Sequence, residues 1–229
     1  MFFDFDGTLV DVRKRHYRTY RSAVEALGGR PLGPSAYWLL KRRGIGSTEL
    51  LACSRLGPRQ QGAFLERFIT QVEAPASLRL DRLFPGDPEL LEARRPLFLV
   101  SLRRSLPVFQ AQVAELGIRE LFERVCSGHT EVDTHIQKGR LIRRIGVGSP
   151  AAVVGDTEAG ILAARSLGLA PIGVASGMRN RGCLQRLGAQ VVVGRIAQLP
   201  AALDSVSLSS AATHAACPAR PCSSDTIGR

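Results

Sequence analysis

Four polar residues fall where predicted strands end and a lysine precedes a predicted helix, and these five side chains are of the types that hold a phosphate together with a metal ion. Asp4 and Asp6 follow a first apolar run, Ser101 closes a second, and Asp156 follows a third, while Lys138 is placed in a loop just before a helix. Ligands of a parallel α/β sheet bind beyond the carboxyl ends of its strands, so we expect these side chains to gather at one edge. Three carboxylates, a hydroxyl and an ammonium suit a phosphate bound with a hard cation, and oxygen ligands of this kind favour Mg²⁺.

The hydrophobic pattern predicts the sheet that would position these residues. Short apolar runs predict strands near residues 1–10, 96–100, 122–126, 151–154, 171–175 and 190–193, and helical spacing predicts helices at 108–116, 141–145 and 158–167. Strands that alternate with helices imply right-handed crossovers and a parallel sheet covered on both faces. The expected fold class is therefore α/β, with a three-layer parallel-sheet core.

Residues 13–80 interrupt this alternation with a helical module. Tyr17, Tyr20, Val24 and Leu27 recur at helical spacing, and further amphipathic helices are predicted at 47–56 and 61–72. The expected organisation is a core of residues 1–12 and 81–204 with an inserted α-helical module at 13–80. Residues 205–229 are rich in Ser, Ala, Cys and Pro without periodicity, which predicts a disordered tail.

The positive charge of the chain is concentrated in the inserted module. The formal net charge is +11, and residues 13–80 carry 13 basic and 4 acidic side chains. One interpretation is the solvated helical face of an arginine-rich protein. The other is a basic surface for an anionic partner, either a phosphorylated small molecule or nucleic acid.

Several protein classes are excluded by composition. No run approaches the ~18 apolar residues of a membrane span, and no basic flank precedes an apolar leader, so no membrane partner is expected. The five cysteines are scattered and form no CxxC pair, which favours a reducing cytoplasm over a disulfide scaffold. The oligomeric state is not predicted, and the short first strand leaves open whether the natural chain begins upstream of Met1.

The run Asp4-Phe-Asp-Gly-Thr-Leu-Val10 resembles the DxDGT(L/V) signature of the haloacid dehalogenase superfamily of phosphohydrolases. Ser101, Lys138 and the triplet around Asp156 follow in the order of that family's other motifs, and residues 13–80 fall where it inserts a helical cap. The resemblance covers residues 1–204 and points to phosphoglycolate-phosphatase-like and β-phosphoglucomutase-like members.

The resemblance implies a role for each of these residues. Asp4 would be the nucleophile that forms an aspartyl-phosphate, and Asp6 the general acid and base. Ser101 and Lys138 would bind the phosphoryl group. Asp4, Asp156 and the backbone carbonyl of Asp6 would hold Mg²⁺.

One acid of the family's metal motifs is missing here. Many members carry an acid four residues after the metal-binding Asp, where this chain has Gly160, and a second subgroup carries one just before it, where this chain has Gly155. Glu158 is close enough in sequence to substitute through a water, as a residue that supports the metal from outside its ligand set. An acid introduced at position 160 is expected to tighten Mg²⁺ binding.

The favoured function is a Mg²⁺-dependent phosphatase acting on a small phosphorylated metabolite. One alternative is a sugar-phosphate mutase of the same superfamily. The other is a catalytically weakened relative whose basic cap binds nucleic acid through arginines interleaved with Tyr17 and Tyr20. We expect these aromatics to form a buried helical face instead, which disfavours nucleic acid, and we expect His16 to be an exposed helical residue.

Overall fold

The computed structural model describes residues 1–85, 96–128, 133–146 and 151–205. Contacts between residues divide the described chain into two units, one of residues 12–81 and one of residues 1–11 together with those from 82 onward. The predicted disordered tail lies outside the described residues apart from Ser205, which ends the last helix. Within the described ranges, no helix combines the length and hydropathy that crossing a membrane requires.

A six-stranded sheet forms the centre of the first unit. Its strands are β1 (Phe2–Phe3), β4 (Phe98–Ser101), β5 (Arg124–Ser127), β6 (Ala152–Gly155), β7 (Ala170–Val174) and β8 (Val191–Val193), in the order β5-β4-β1-β6-β7-β8. Every neighbouring pair is parallel, and this confirms the predicted α/β class. The two-residue β1 lies between β4 and β6, with Phe3 opposite Leu99 on one side and Val154 on the other.

The chain leaves and re-enters this unit through a second, two-stranded sheet. Strands β2 (Val10–Asp11) and β3 (Arg82–Leu83) pair antiparallel, with Val10 opposite Leu83. The amide of Phe84 also donates to the carbonyl of Leu9 at 3.0 Å. The two points at which residues 12–81 join the rest of the chain are therefore held side by side.

Residues 12–81 form a unit of five helices. These are α1 (Arg13–Ala26), α2 (Pro34–Arg43), α3 (Ser47–Cys53), α4 (Gln61–Val72) and α5 (Pro75–Leu78), with a 3₁₀ turn at Pro58–Gln60. Tyr20 is fully buried, stacks on Tyr37 with ring centroids 4.3 Å apart, and shares a hydrogen bond of 2.7 Å with Ser54. The core of this unit is thus built on aromatic rings of α1, α2 and α4.

A buried ion pair joins the two ends of the helical unit. Arg15 Nε donates to Asp81 Oδ1 at 2.8 Å, both side chains are 1% exposed, and Arg15 Nη1 donates to the carbonyl of Val72 at 3.0 Å. A buried charge is tolerated when it is paired and hydrogen-bonded. Arg15 therefore fixes the start of α1 against the residues that close the unit.

Helices cover both faces of the parallel sheet. They are α6 (Leu106–Glu115), α7 (Thr134–Ile145), α8 (Glu158–Ser166), α9 (Arg181–Arg186) and α10 (Leu199–Ser205), with 3₁₀ turns at Arg119–Leu121 and Ile196–Gln198. Side chains alternate between the faces of a strand. Phe2 accordingly packs in the cluster that contains Ile142 of α7 and Ala163 of α8, whereas Phe3 packs edge-on against Phe122. The sheet thus has apolar partners on both sides.

Two local predictions were wrong for the same reason. Lys138 lies inside α7, which begins at Thr134, and not in a loop before a helix. His16 is only 8% exposed and packs edge-on against Phe68. The helices α1 and α7 both carry polar side chains on their buried faces. In α7 the apolar spacing therefore starts only after the helix has begun, so the sequence places Lys138 in a loop. In α1 the apolar spacing does not show that His16 lies on the buried face.

Arg15→Met is expected to lower the free energy of unfolding by about 3–5 kcal/mol, because it removes the guanidinium that pairs with the buried Asp81 carboxylate. The measurement is urea unfolding followed by the fluorescence of Trp38, the single tryptophan, which lies on α2. Arg18→Met is the matched control, since Arg18 is exposed on the same helix and its loss is expected to change stability by at most ~0.5 kcal/mol. Equal effects of the two substitutions would contradict this assignment.

Candidate active site

The shortest ion pair of the site joins Asp4 to Lys138. Asp4 follows β1 directly, and its Oδ2 lies 2.5 Å from Nζ of Lys138, whose side chain is 1% exposed. The Oδ1 atom of Asp4 accepts a hydrogen bond of 2.8 Å from the amide of Phe5. Residues 134 sequence positions apart are therefore brought together as one buried charge pair at the carboxyl end of β1.

Asp156 is fully buried beside this pair, at the end of β6. Its Oδ2 accepts the amide of Met178 at 2.7 Å, and its Oδ1 accepts the hydroxyl of Thr8 at 3.3 Å. Burial, and secondly the negative charge of Asp4, raises the pKa of Asp156 to about 7, while the Met178 amide and Lys138 act in the opposite direction. The site thus holds a carboxyl group whose ionised form lacks a full counter-charge.

Two glycines let the backbone approach the Asp156 carboxylate. A Cβ added at Gly7 or Gly177 would overlap the Asp156 carboxylate, and Gly7 has a φ of +76°, which L side chains rarely adopt. Gly7 belongs to the signature run read from the sequence. Gly177 was not identified there, because its partner lies across the sheet edge and no local pattern marks it.

Ser101 ends β4, the strand that flanks β1 on the side away from β6. It is buried, and its Oγ accepts a hydrogen bond of 3.3 Å from the backbone amide of Arg103. The structure therefore places Ser101, Asp4 and Asp156 at the ends of three adjacent parallel strands, as predicted from the sequence.

Asp6 is held by an arginine that sequence reasoning did not identify. Arg103 Nε donates to Asp6 Oδ2 and Arg103 Nη2 donates to Asp6 Oδ1, both at 2.7 Å. Arg103 is only 3% exposed, whereas the Asp6 side chain is 21% exposed. A position two residues after a strand end was the only sequence signal that could have singled this arginine out.

Glu158 is the first residue of α8, and it pairs with another arginine. Its Oε1 accepts a hydrogen bond of 2.7 Å from Nε of Arg179. Arg179 follows Met178, the residue whose amide binds Asp156, and its Nη1 donates to the Met178 carbonyl. The role of Glu158 in supporting a metal ion through water stays a prediction.

The glycines that replace the family's acids form a close contact between helix and strand. A Cβ on Gly160 would lie 3.4 Å from Cα of Gly155 and 4.0 Å from Cγ1 of Val153. Position 160 therefore faces β6, and a carboxylate introduced there would enter the interface between α8 and the sheet. A side chain that points at β6 does not fit the expectation that an acid at position 160 would tighten Mg²⁺ binding.

The donor set fits a magnesium ion held by few protein groups. Among the described residues, no three His, Cys, Asp or Glu side chains converge into a metal-binding cluster. The predicted set has two carboxylates, Asp4 and Asp156, and takes its third group from the backbone carbonyl of Asp6. Mg²⁺ commonly binds one or two carboxylates and fills its octahedron with water and substrate phosphate, so this set is sufficient.

Comparison with known proteins agrees with this geometry. Residues 1–168 match the family model of haloacid dehalogenase-like hydrolases. The chain belongs to this family. It is 30% identical over 184 residues to a phosphoglycolate phosphatase of Synechococcus elongatus, covering 78% of this chain and 84% of that protein. This haloacid dehalogenase-like hydrolase is therefore a phosphatase, as its sequence motifs predicted.

Solved structures share the fold of this hydrolase at lower identity. A haloacid dehalogenase-like hydrolase from Streptococcus pneumoniae has a TM-score of 0.70 at 21% identity, covering 88% of this chain and 96% of that one. A predicted phosphatase from Clostridium acetobutylicum has a TM-score of 0.70 at 17% identity, covering 90% and 97%. The α/β architecture is thus that of the family.

The burial of Asp156 predicts a pH-dependent stability for the metal-free protein. The unfolded chain releases this proton near pH 3.9, whereas the folded chain retains it to about pH 7, so the contribution of this carboxyl to stability decreases as pH rises through that window. Asp156→Asn removes the titrating group. In urea unfolding with EDTA, we expect the stability of the wild type relative to Asp156→Asn to fall between pH 5 and pH 7.5, and a difference that is independent of pH would contradict this.

The packing of Gly160 predicts different effects of two substitutions on the stability of the protein. Gly160→Ala adds a methyl group at ordinary contact distance and improves helix propensity, so the melting temperature is expected to change by no more than a few degrees. Gly160→Asp places a carboxylate against β6 and is expected to destabilise the protein by at least ~1–3 kcal/mol. Thermal unfolding measures both, and a Gly160→Asp variant as stable as Gly160→Ala would show that position 160 does not face the strand.

Proposed function

We propose that this phosphatase hydrolyses a small phosphorylated metabolite with Mg²⁺, through an aspartyl-phosphate formed on Asp4. The observation that carries the proposal is the buried pair of Asp4 and Lys138 at the carboxyl end of the central strand. A nucleophilic carboxylate and a compact positive charge in contact are what phosphoryl transfer needs, because catalysis of this reaction is mainly positioning and charge stabilisation.

Asp4 acts as the nucleophile in this proposal. One carboxylate oxygen forms a bond to phosphorus while the ester P–O bond breaks, and the bonding electrons leave with the ester oxygen. Lys138 remains beside the carboxylate and offsets negative charge on the phosphoryl oxygens. Ser101, at the end of the next strand, donates its hydroxyl to one of these oxygens.

Asp6 moves the protons of both half-reactions. In its protonated form it gives a proton to the leaving ester oxygen. As a carboxylate it then takes a proton from the water that attacks phosphorus, while the bond from phosphorus to the Asp4 oxygen breaks, Asp4 leaves as a carboxylate and inorganic phosphate is released. The 21% exposure of its side chain leaves it accessible to both groups. Asp6 thereby returns to its initial protonation state once per turnover.

Asp4, Asp156 and the backbone carbonyl of Asp6 are the groups that would hold Mg²⁺. When bound, the ion supplies positive charge to the phosphoryl group and to the two neighbouring carboxylates. Asp156 touches neither the ester nor the attacking water in this scheme. Its buried carboxyl gives the cation a binding group that water does not screen.

The substrate class is supported by the Synechococcus relative, whose name is phosphoglycolate phosphatase. The basic module at 13–80 would attract such an anion, since a surface of one charge raises the local concentration of the opposite charge. The alternative of nucleic-acid binding loses one of its two stacking residues, because Tyr20 is fully buried on Tyr37. The cytoplasmic location inferred from the scattered cysteines stays a prediction.

Asp4→Asn is expected to lower phosphate release by at least ~10³-fold while leaving the fold intact, because the amide cannot form the phosphoenzyme. The assay is phosphate release from phosphorylated metabolites with Mg²⁺ and with EDTA, and activity is expected only with Mg²⁺. Glu115→Gln, on the exposed face of α6, is the control for loss of an acidic group. Wild-type activity in Asp4→Asn would overturn the covalent mechanism, and an isomeric sugar phosphate as product would identify a mutase.

A further inference from the structure

We propose that Arg103 is a positioning residue that fixes the orientation of the Asp6 carboxylate for proton transfer, an inference that rests on the proposed function. Arg103 contacts Asp6 through two parallel hydrogen bonds of 2.7 Å. In this proposal, Arg103 does not contact the substrate.

The geometry of the pair restricts the rotation of the carboxylate. A guanidinium group is planar, and two parallel N–H···O bonds align it with the carboxylate plane. The two bonds to Arg103 occupy two of the about four acceptor sites that a carboxylate offers, one on each oxygen. Asp6 is therefore held in one orientation while it stays able to exchange a proton on its exposed side.

Arg103 itself is fixed on three sides. Its Nη2 atom also donates to Oε1 of Gln112 on α6 at 3.2 Å, its guanidinium carbon lies 5.8 Å from the centre of the Phe5 ring, and its backbone amide donates to Ser101 Oγ. With 3% of its side chain exposed, it has little freedom to move. Through Arg103, the orientation of Asp6 is thus fixed relative to the end of β4 and to α6.

A second arginine–aspartate pair in the same chain shows what a purely structural pair looks like. Arg15 and Asp81 are both 1% exposed, so neither side chain reaches solvent. In the Arg103 pair only the arginine is enclosed, and the carboxylate is 21% exposed at the sheet edge that carries Asp4. This difference in exposure fits a reacting carboxylate that a buried arginine holds in place. It does not fit a pair that serves packing alone.

The step that depends on this orientation is the proton transfer at Asp6. In phosphoenzyme formation the proton passes from Asp6 to the ester oxygen as the P–O bond breaks. A leaving group that is stable as an anion needs this proton less. Loss of orientation should therefore slow an ester with a poor leaving group more than one with a good leaving group.

The test compares kcat/KM for phenyl phosphate and p-nitrophenyl phosphate in the wild type, Arg103→Met and Arg103→Lys. We expect Arg103→Met to lower kcat/KM for phenyl phosphate by at least ~10-fold and to lower that for p-nitrophenyl phosphate clearly less. Arg103→Lys keeps the charge but not the planar fork, so it is expected to stay impaired in the same sense. Arg104→Met, at the exposed neighbouring arginine, is the matched control and is expected to retain wild-type values.

A double-mutant cycle decides whether Arg103 acts through Asp6. In an Asp6→Asn background, Arg103→Met is expected to cause less than ~2-fold further loss. Independent, multiplying losses would overturn the proposal, as would full activity of Arg103→Lys or an equal loss on both esters. If Arg103→Met fails to fold, Arg103→Lys replaces it in the cycle. Gln112→Leu removes a hydrogen-bond partner of Arg103 Nη2. It is expected to lower kcat/KM less than Arg103→Met does, with the same dependence on the leaving group.

Failure of the proposed function gives a different result. A wild type that is inactive on both esters, or an Asp4→Asn variant as active as the wild type, would overturn the aspartyl-phosphate mechanism. A wild type that is active, an inactive Asp4→Asn and an Arg103→Met loss that is the same for both esters would overturn only the role of Arg103.

Discussion

The site depends on keeping negative charge out of water at the end of a two-residue strand. Asp4 and Asp156 are both buried, and Lys138 supplies one positive charge for the two carboxylates. Removing ions from water is costly, and the cost is offset only where partners are close and well oriented. The adjacency of β1 and β6 puts Asp4 and Asp156 side by side, and α7 brings Lys138 to them.

The glycines around Asp156 follow from the same constraint. Gly7 and Gly177 bring backbone to the carboxylate where any side chain would collide with it. Gly155 and Gly160 let α8 pack directly on β6, which keeps the start of that helix near the strand end. At the two positions where this chain lacks an acid of the family's motifs, it therefore carries glycines that allow the helix to pack on the sheet.

The fold was predictable from the sequence because its signals are local, whereas the missing parts of the site depend on distant pairs. Alternating apolar runs identified the parallel sheet, and residue types at strand ends identified Asp4, Ser101 and Asp156. Lys138 was found but placed in a loop, since the polar residues on the buried face of α7 hide its first turns. Arg103 pairs with a residue 97 positions away, and among many arginines its only local signal is a position two residues after a strand end.

The antiparallel pair of β2 and β3 also bears on how such a chain can change over evolution. Val10 lies opposite Leu83, and beyond this pair the chain departs and returns at neighbouring positions. Insertions are tolerated where the two ends of the inserted segment lie close together. The sheet can therefore keep its strand register while the segment between these strands is exchanged for one of different length or composition. The segment can thus diverge without rebuilding the strand ends that carry Asp4 and Asp156.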